Sequence, residues 1–107
     1  MGLSIDLIDD NENLLYECNI THNLGKMACA AGIYEVLWRP DEHGIVKAKQ
    51  AIEALSAGVA QLATEKAKFE VYNSPNGWGL YEHFLPFCVK YLAACKEFPE
   101  ANIRVSR

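Results

Sequence analysis

The sequence has no long apolar run, no excess of positive charge and no paired-cysteine motif, and each absence excludes a class of protein. Its uninterrupted apolar stretches fall well short of the roughly 20 residues that a bilayer-spanning helix needs, so no membrane partner is expected. No basic, apolar, small-residue segment opens the chain, which predicts no secretory leader and a cytoplasmic setting. Ten Lys and Arg against 14 Asp and Glu leave a formal charge of −4. The basic residues are scattered, so the face that duplex nucleic acid requires is missing. Four cysteines (Cys18, Cys29, Cys88, Cys95) show neither C-x-x-C nor a zinc-type spacing. They are expected as small core side chains, not as a disulfide or metal site. The common catalytic signatures are absent as well: no G-x-S-x-G, Walker loop, H-E-x-x-H, G-x-G-x-x-G or EF-hand loop. Three dispersed histidines (His22, His43, His83) imply no metal, and no cofactor is indicated.

What is present suits one globular domain. The chain of 107 residues is long enough for a single core, and 50% of it is hydrophobic. Residues 3–8 alternate apolar and polar side chains, and residues 14–20 form a second extended piece, with an acidic turn at Asp9–Asn13 between them. A first helix is predicted to open at Thr21 or Asn23, either able to cap it, and to run to Pro40. It carries a stripe of small residues, Gly25, Cys29 and Gly32, that would let another backbone approach closely. A second helix is expected to start at Asp41-Glu42-His43-Gly44 and to continue to about Lys68. Its residues Ile45, Ala48, Ile52, Leu55, Val59 and Leu62 follow the three-four spacing of an a/d seam. Turn formers fill Asn73–Gly79. A third helix follows, with Cys88 and Cys95 on one face and Pro86 either near its start or at a bend. Residues 102–106 read as a short terminal strand. The prediction is an α+β domain of three amphipathic helices packed on a small sheet made by the N- and C-terminal strands.

Three polar, aromatic clusters stand out. Thr21-His22-Asn23 with Lys26 sits at a strand-to-helix junction, where bare N–H groups, an imidazole and an ammonium can converge on an anion. The plainer alternative is a capped helix beside a solvated histidine. Trp38-Arg39-Pro40 offers an indole and a guanidinium for a base and a phosphate, or else a core-edge tryptophan and a helix-end arginine. In Tyr72–Tyr81, Asn76 and Trp78 lie beside Gly77 and Gly79, which permit close approach of a ligand, or of the loop's own backbone. Glu82 and His83 are adjacent on a helix and so diverge.

The stretches Asn19–Ala28, Ala31–Tyr34, Leu37–Pro40, Asn76–Gly79, Tyr81-Glu82, Pro86-Phe87, Lys90–Leu92 and Arg104–Arg107 together resemble a group of small proteins of tailed bacteriophages and prophages. No biochemical activity comes with the resemblance. It implies a viral origin and expression in a bacterial host, where proteins of this size act in anti-defence roles.

The leading expectation is a non-enzymatic protein that sequesters a small anionic nucleotide-like ligand, such as a host immune signalling nucleotide. The residues expected to meet in one site are His22, Asn23, Lys26, Trp38, Arg39, Asn76, Trp78 and Tyr81. The small-residue stripe and the a/d seam predict a homo-oligomer. The alternatives are an inhibitor or adaptor acting on a host protein, or a small phosphodiesterase using His22 or His83.

Overall fold

A computed structural model describes residues 2–107 as an α+β domain. Strands β1 (Gly2–Ile8), β2 (Leu14–Thr21) and β3 (Asn102–Ser106) form an antiparallel sheet in the order β2-β1-β3. The register pairs Ile5 with Cys18 on one side and with Val105 on the other. Period-two alternation sends Leu3, Ile5 and Leu7 of β1 into the core. Ser4 and Asp6 lie on the opposite face, where Asp6 pairs with Arg104 at 2.9 Å. Helices cover only the apolar face, as the strand pattern requires.

The expected first helix is two short ones, α1 (Gly25–Ala30) and α2 (Tyr34–Trp38), preceded by a 3₁₀ turn at His22–Leu24. The break is a Schellman motif. Gly32 takes a left-handed φ of 76°, its N–H donates to Cys29 O, and Ile33 N–H donates to Ala28 O. Ile33, the apolar residue after the glycine, is fully buried. Within the domain no backbone packs on the small-residue stripe: nothing lies within 4 Å of a Cβ added at Gly32, and only the Tyr34 side chain approaches one at Gly25. The close approach occurs instead at Gly58, where an added Cβ would run into Ile33 Cγ2.

The second helix also starts later than its seam suggests. Residues Pro40–His43 form a 3₁₀ turn that Gly44 ends at a φ of 71°. Val46 and Lys47 then run beside β3, where Ile103 N–H donates to Val46 O at 2.9 Å. A 3₁₀ turn at Ala48–Ala51 leads into α3 (Ile52–Thr64), and a bend at Glu65 separates α4 (Lys66–Glu70). That bend turns Phe69 fully into the core. The seam residues Ala48, Leu55 and Leu62 are all buried within the monomer, against α5 and the α1–α2 turn. They supply no surface for a second copy.

Helix α5 (Tyr81–Glu97) starts before Pro86 and runs through it. Proline removes one donor to Glu82 O, and both residues are exposed, so water can take that donor's place. Cys88 and Cys95 share the buried face as their spacing requires, whereas Cys29 is exposed and Cys18 half-buried. All four are free thiols. Burial pushes Cys18 up to about 12 and Cys95 up to about 11, so neither is a ready thiolate.

Tyr91 is fully buried, its hydroxyl has no nitrogen or oxygen partner and only the weakly bonding Cys95 thiol beside it, and burial pushes its pKa far up. A buried hydroxyl without a partner costs stability. Tyr91→Phe is therefore expected to leave the urea midpoint unchanged or to raise stability by up to about 1 kcal/mol. A loss of similar size would mean that the hydroxyl has a partner.

Candidate functional site

The two polar loops, far apart in sequence, meet in space. Asn23 Nδ2 donates to the carbonyl oxygen of Trp78 at 2.8 Å. Gly79 makes the contact possible: its φ is 111°, and an added Cβ would lie 2.9 Å from Asn23 Cβ. The loop before α5 is tied by its own side chains. Asn76 Oδ1 accepts from Trp78 N at 2.9 Å and from Ser74 Oγ at 2.6 Å, and Gly77 closes the turn at a φ of 80°. Asn76 is thus committed to shaping the loop.

The helix entrances themselves are not open anion sites. Tyr81 N–H donates to Asn73 Oδ1 at 2.7 Å, and the His83 and Phe84 N–H groups both donate to Leu80 O. At the other entrance Asn23 N–H donates to Thr21 Oγ1 at 3.3 Å, so Thr21 is the cap. Side-chain caps have taken Tyr81 N–H and Asn23 N–H, two of the donors that an anion would use. Tyr81 is buried, and its hydroxyl donates to Leu62 O near the C-terminal end of α3. There it satisfies a carbonyl that has no partner inside the helix, so Tyr81 faces the core and not a ligand.

Trp38 is 3% exposed and stacks on Tyr34 with ring centroids 5.3 Å apart. Its indole N–H donates to His22 Nδ1 at 2.8 Å. Trp38 is therefore a core-edge side chain that positions His22, and its ring is closed to a ligand. Arg39 is placed elsewhere. It pairs with Glu42 at 3.0 Å, and Tyr34 and Glu42 push its pKa further up. It lines neither of the clefts beside the loop junction. The cation near the Trp38 backbone is instead Arg107, which donates to Trp38 O at 2.8 Å and pairs with Asp41 at 3.0 Å. That contact holds the Asp41 carboxyl below the usual range.

His22, Asn23, Lys26 and Trp78 remain beside two clefts that flank the junction. A cleft of about 620 Å³ is lined by His22, Asn23, Lys26 and residues 71–75, and no carboxylate lines it. Because His22 Nδ1 accepts from Trp38, the proton of the neutral ring sits on Nε2, which becomes a donor. Lys26 Nζ has no hydrogen bond or ion pair among the described residues. Asn73, whose Oδ1 is engaged by Tyr81, keeps its NH₂ group. Tyr72, 38% exposed, adds a ring to the same wall.

A second, more apolar cleft of about 430 Å³ lies on the β2 side, lined by residues 19–21, Leu24, Gly77–Gly79 and His83. Trp78 stands over it, 70% exposed. Residues Tyr72, Asn73 and Ser74 belong to the polar, aromatic stretch singled out in the sequence, where Asn73 offers amide donors and acceptors for a base edge or ribose, but they are not among the residues expected to meet in the site. Their signal was proximity to Trp78 in a turn-rich stretch, but nothing in the sequence said which side of the loop would face Lys26.

Other chemistry is sparse. His83 Nε2 and Glu82 Oε1 are 4.0 Å apart, both on the exposed side of α5. Among the described residues no three His, Cys, Asp or Glu side chains gather into a metal site. No helix is long and apolar enough to cross a membrane. Comparison with protein-family models, with curated proteins and with solved structures finds no match to this chain.

Proposed function

We propose that the chain is a binding protein that holds a small anionic, nucleotide-like ligand in the cleft between His22 and Tyr72. The observation that carries this is a cleft with donors on His22, Lys26 and Asn73 and no acidic side chain in its wall. Donors without a competing carboxylate favour phosphate or carboxylate over a cation. Tyr72 offers a ring for stacking a base, the part assigned in the sequence to a tryptophan. The resemblance to phage proteins supports a role in sequestering a host signalling nucleotide, and homo-oligomer formation belongs to the same reading.

Thermal-shift screening with ADP-ribose derivatives and cyclic dinucleotides tests the proposal. A ligand present at a hundred times its Kd adds about 2.7 kcal/mol to the folded state. Lys26→Ala is expected to weaken binding by about 1.5–3 kcal/mol, the worth of a charged hydrogen bond, without changing the unliganded Tm. If none of these compounds stabilises the wild-type protein, the reading fails.

One observation favours an adaptor instead. Trp78 and Val71 are 70% and 76% exposed on the same loop region, the kind of aromatic and aliphatic anchor that protein interfaces bury. In that case a host protein is retained in stoichiometric amount by the wild-type chain and lost with Trp78→Ala, and nucleotides have no effect.

A further inference from the structure

Hydrogen bonds within the domain decide what each polar group of the Lys26 cleft has left to offer. The Trp38 indole N–H occupies His22 Nδ1, so the imidazole turns a donor to the cleft and adds no charge. Tyr81 N–H engages Asn73 Oδ1, which leaves the NH₂ group of Asn73 for the cleft. Lys26 supplies three further donors and the single formal charge of the wall. On the loop side, Ser74 Oγ gives its proton to Asn76 Oδ1 and is left as an acceptor, suited to a sugar hydroxyl beside the Tyr72 ring.

The surroundings add no second cation. The adjoining cleft, which shares Asn73, is lined by Lys66, Glu70 and Glu82, one ammonium against two carboxylates. Arg39 is held by Glu42 and Arg107 by Asp41, and neither lines the Lys26 cleft. The whole chain carries a formal charge of −4.

Several neutral donors around one ammonium match an anion of one charge. The cost of desolvating an ion rises with the square of its charge, whereas its attraction to a single cation rises only in proportion. A phosphate with one ester bond carries about −1.5 to −2 at pH 7. A phosphate with two ester bonds carries a single negative charge and still presents two free oxygens to donors. We propose that the cleft selects a phosphodiester over a phosphomonoester or a terminal diphosphate. The proposal rests on the nucleotide reading of this cleft and narrows it to one ligand chemistry. A cyclic nucleotide and an internal linkage of a single strand share that chemistry, and neither needs the basic face that duplex binding requires.

Calorimetric titration of the full chain with the common ribonucleoside 5′-monophosphates, and with their phosphate methyl esters, is the test. Each pair shares base, sugar and phosphorus and differs by one charge. The methyl ester is expected to bind at least about tenfold more tightly than its parent. Val71→Lys places a second ammonium on the same wall, at a side chain 76% exposed, so the fold should be kept. In that variant the preference should vanish or turn toward the monophosphate. Equal or tighter binding of the monophosphates by the wild-type chain overturns the proposal, as does a preference that Val71→Lys leaves untouched. Either result leaves the nucleotide reading standing, whereas no binding by any of these compounds overturns both. Cyclic AMP against the dinucleotide ApA then separates a closed ring from a strand, and either one binding more tightly than AMP upholds the proposal.

Discussion

Trp38→Ala is expected to destabilise the protein by about 3–5 kcal/mol, the usual cost of emptying a buried tryptophan site. That is a large share of the about 5–15 kcal/mol that keeps a domain folded, so the variant will be partly or fully unfolded. The ring is 3% exposed, stacks on Tyr34, and is the only observed partner of His22 Nδ1. Trp38→Phe retains most of the apolar contact and separates the two contributions. It should fold and shift the urea midpoint at constant slope, while nucleotide affinity falls because nothing then orients the imidazole. His22→Ala leaves the buried indole N–H without an acceptor and should cost about 1–3 kcal/mol. Combining the two substitutions should cost less than the sum, since they remove one shared bond. If His22→Ala leaves stability unchanged, the imidazole is not held by Trp38, and the donor assigned to Nε2 loses its support.

Gly79→Ala comes next in size. At a φ of 111° any side chain is strained, and the new Cβ would sit 2.9 Å from Asn23 Cβ. Strain and crowding together are expected to cost about 3 kcal/mol. The control is Gly77→Ala. That residue also has a positive φ, of 80°, but nothing lies within 4 Å of the added atom. Its cost should be about 1–2 kcal/mol, from the backbone alone. The Asn23 side-chain amide, followed by NMR, should shift in the first variant and stay put in the second, because only the first pushes the loops apart. Equal costs for the two variants would mean that the contact between Asn23 and the Trp78 loop contributes nothing.

Trp38-Arg39 looked like a base-and-phosphate pincer because both residue types suit that task. The structure buries the first, pairs the second with Glu42, and leaves neither in the cleft. Tryptophan at the end of an amphipathic helix is ambiguous in sequence, since the same residue can plug a core or cover a ligand. Asn76 and Tyr81 were named for their hydrogen-bonding groups, and those groups are spent on the loop and on α3. His22, Asn23, Lys26 and Trp78 kept their place at the junction. The helix boundaries moved for a related reason. Gly32 and Gly44 were each followed by residues that could continue a helical period, and periodicity does not register a left-handed glycine.

Local chemistry alone was enough to place the three strands, a capped helix entrance at Thr21 or Asn23, the ordered loop at Asn73–Gly79 and the buried face of α5. Each depends on alternation, spacing or turn-forming residues a few positions apart, which a sequence displays directly. Tertiary structure decided what lies between distant segments: that Asn23 holds the Trp78 loop, that Trp38 orients His22, and that β2 is left as the open edge. Those outcomes depend on close packing between elements whose approach is set to a few tenths of an ångström by glycines such as Gly58 and Gly79. No pattern along the chain carries that information, because the contacts that satisfy each donor and fill each gap come from the far side of the molecule.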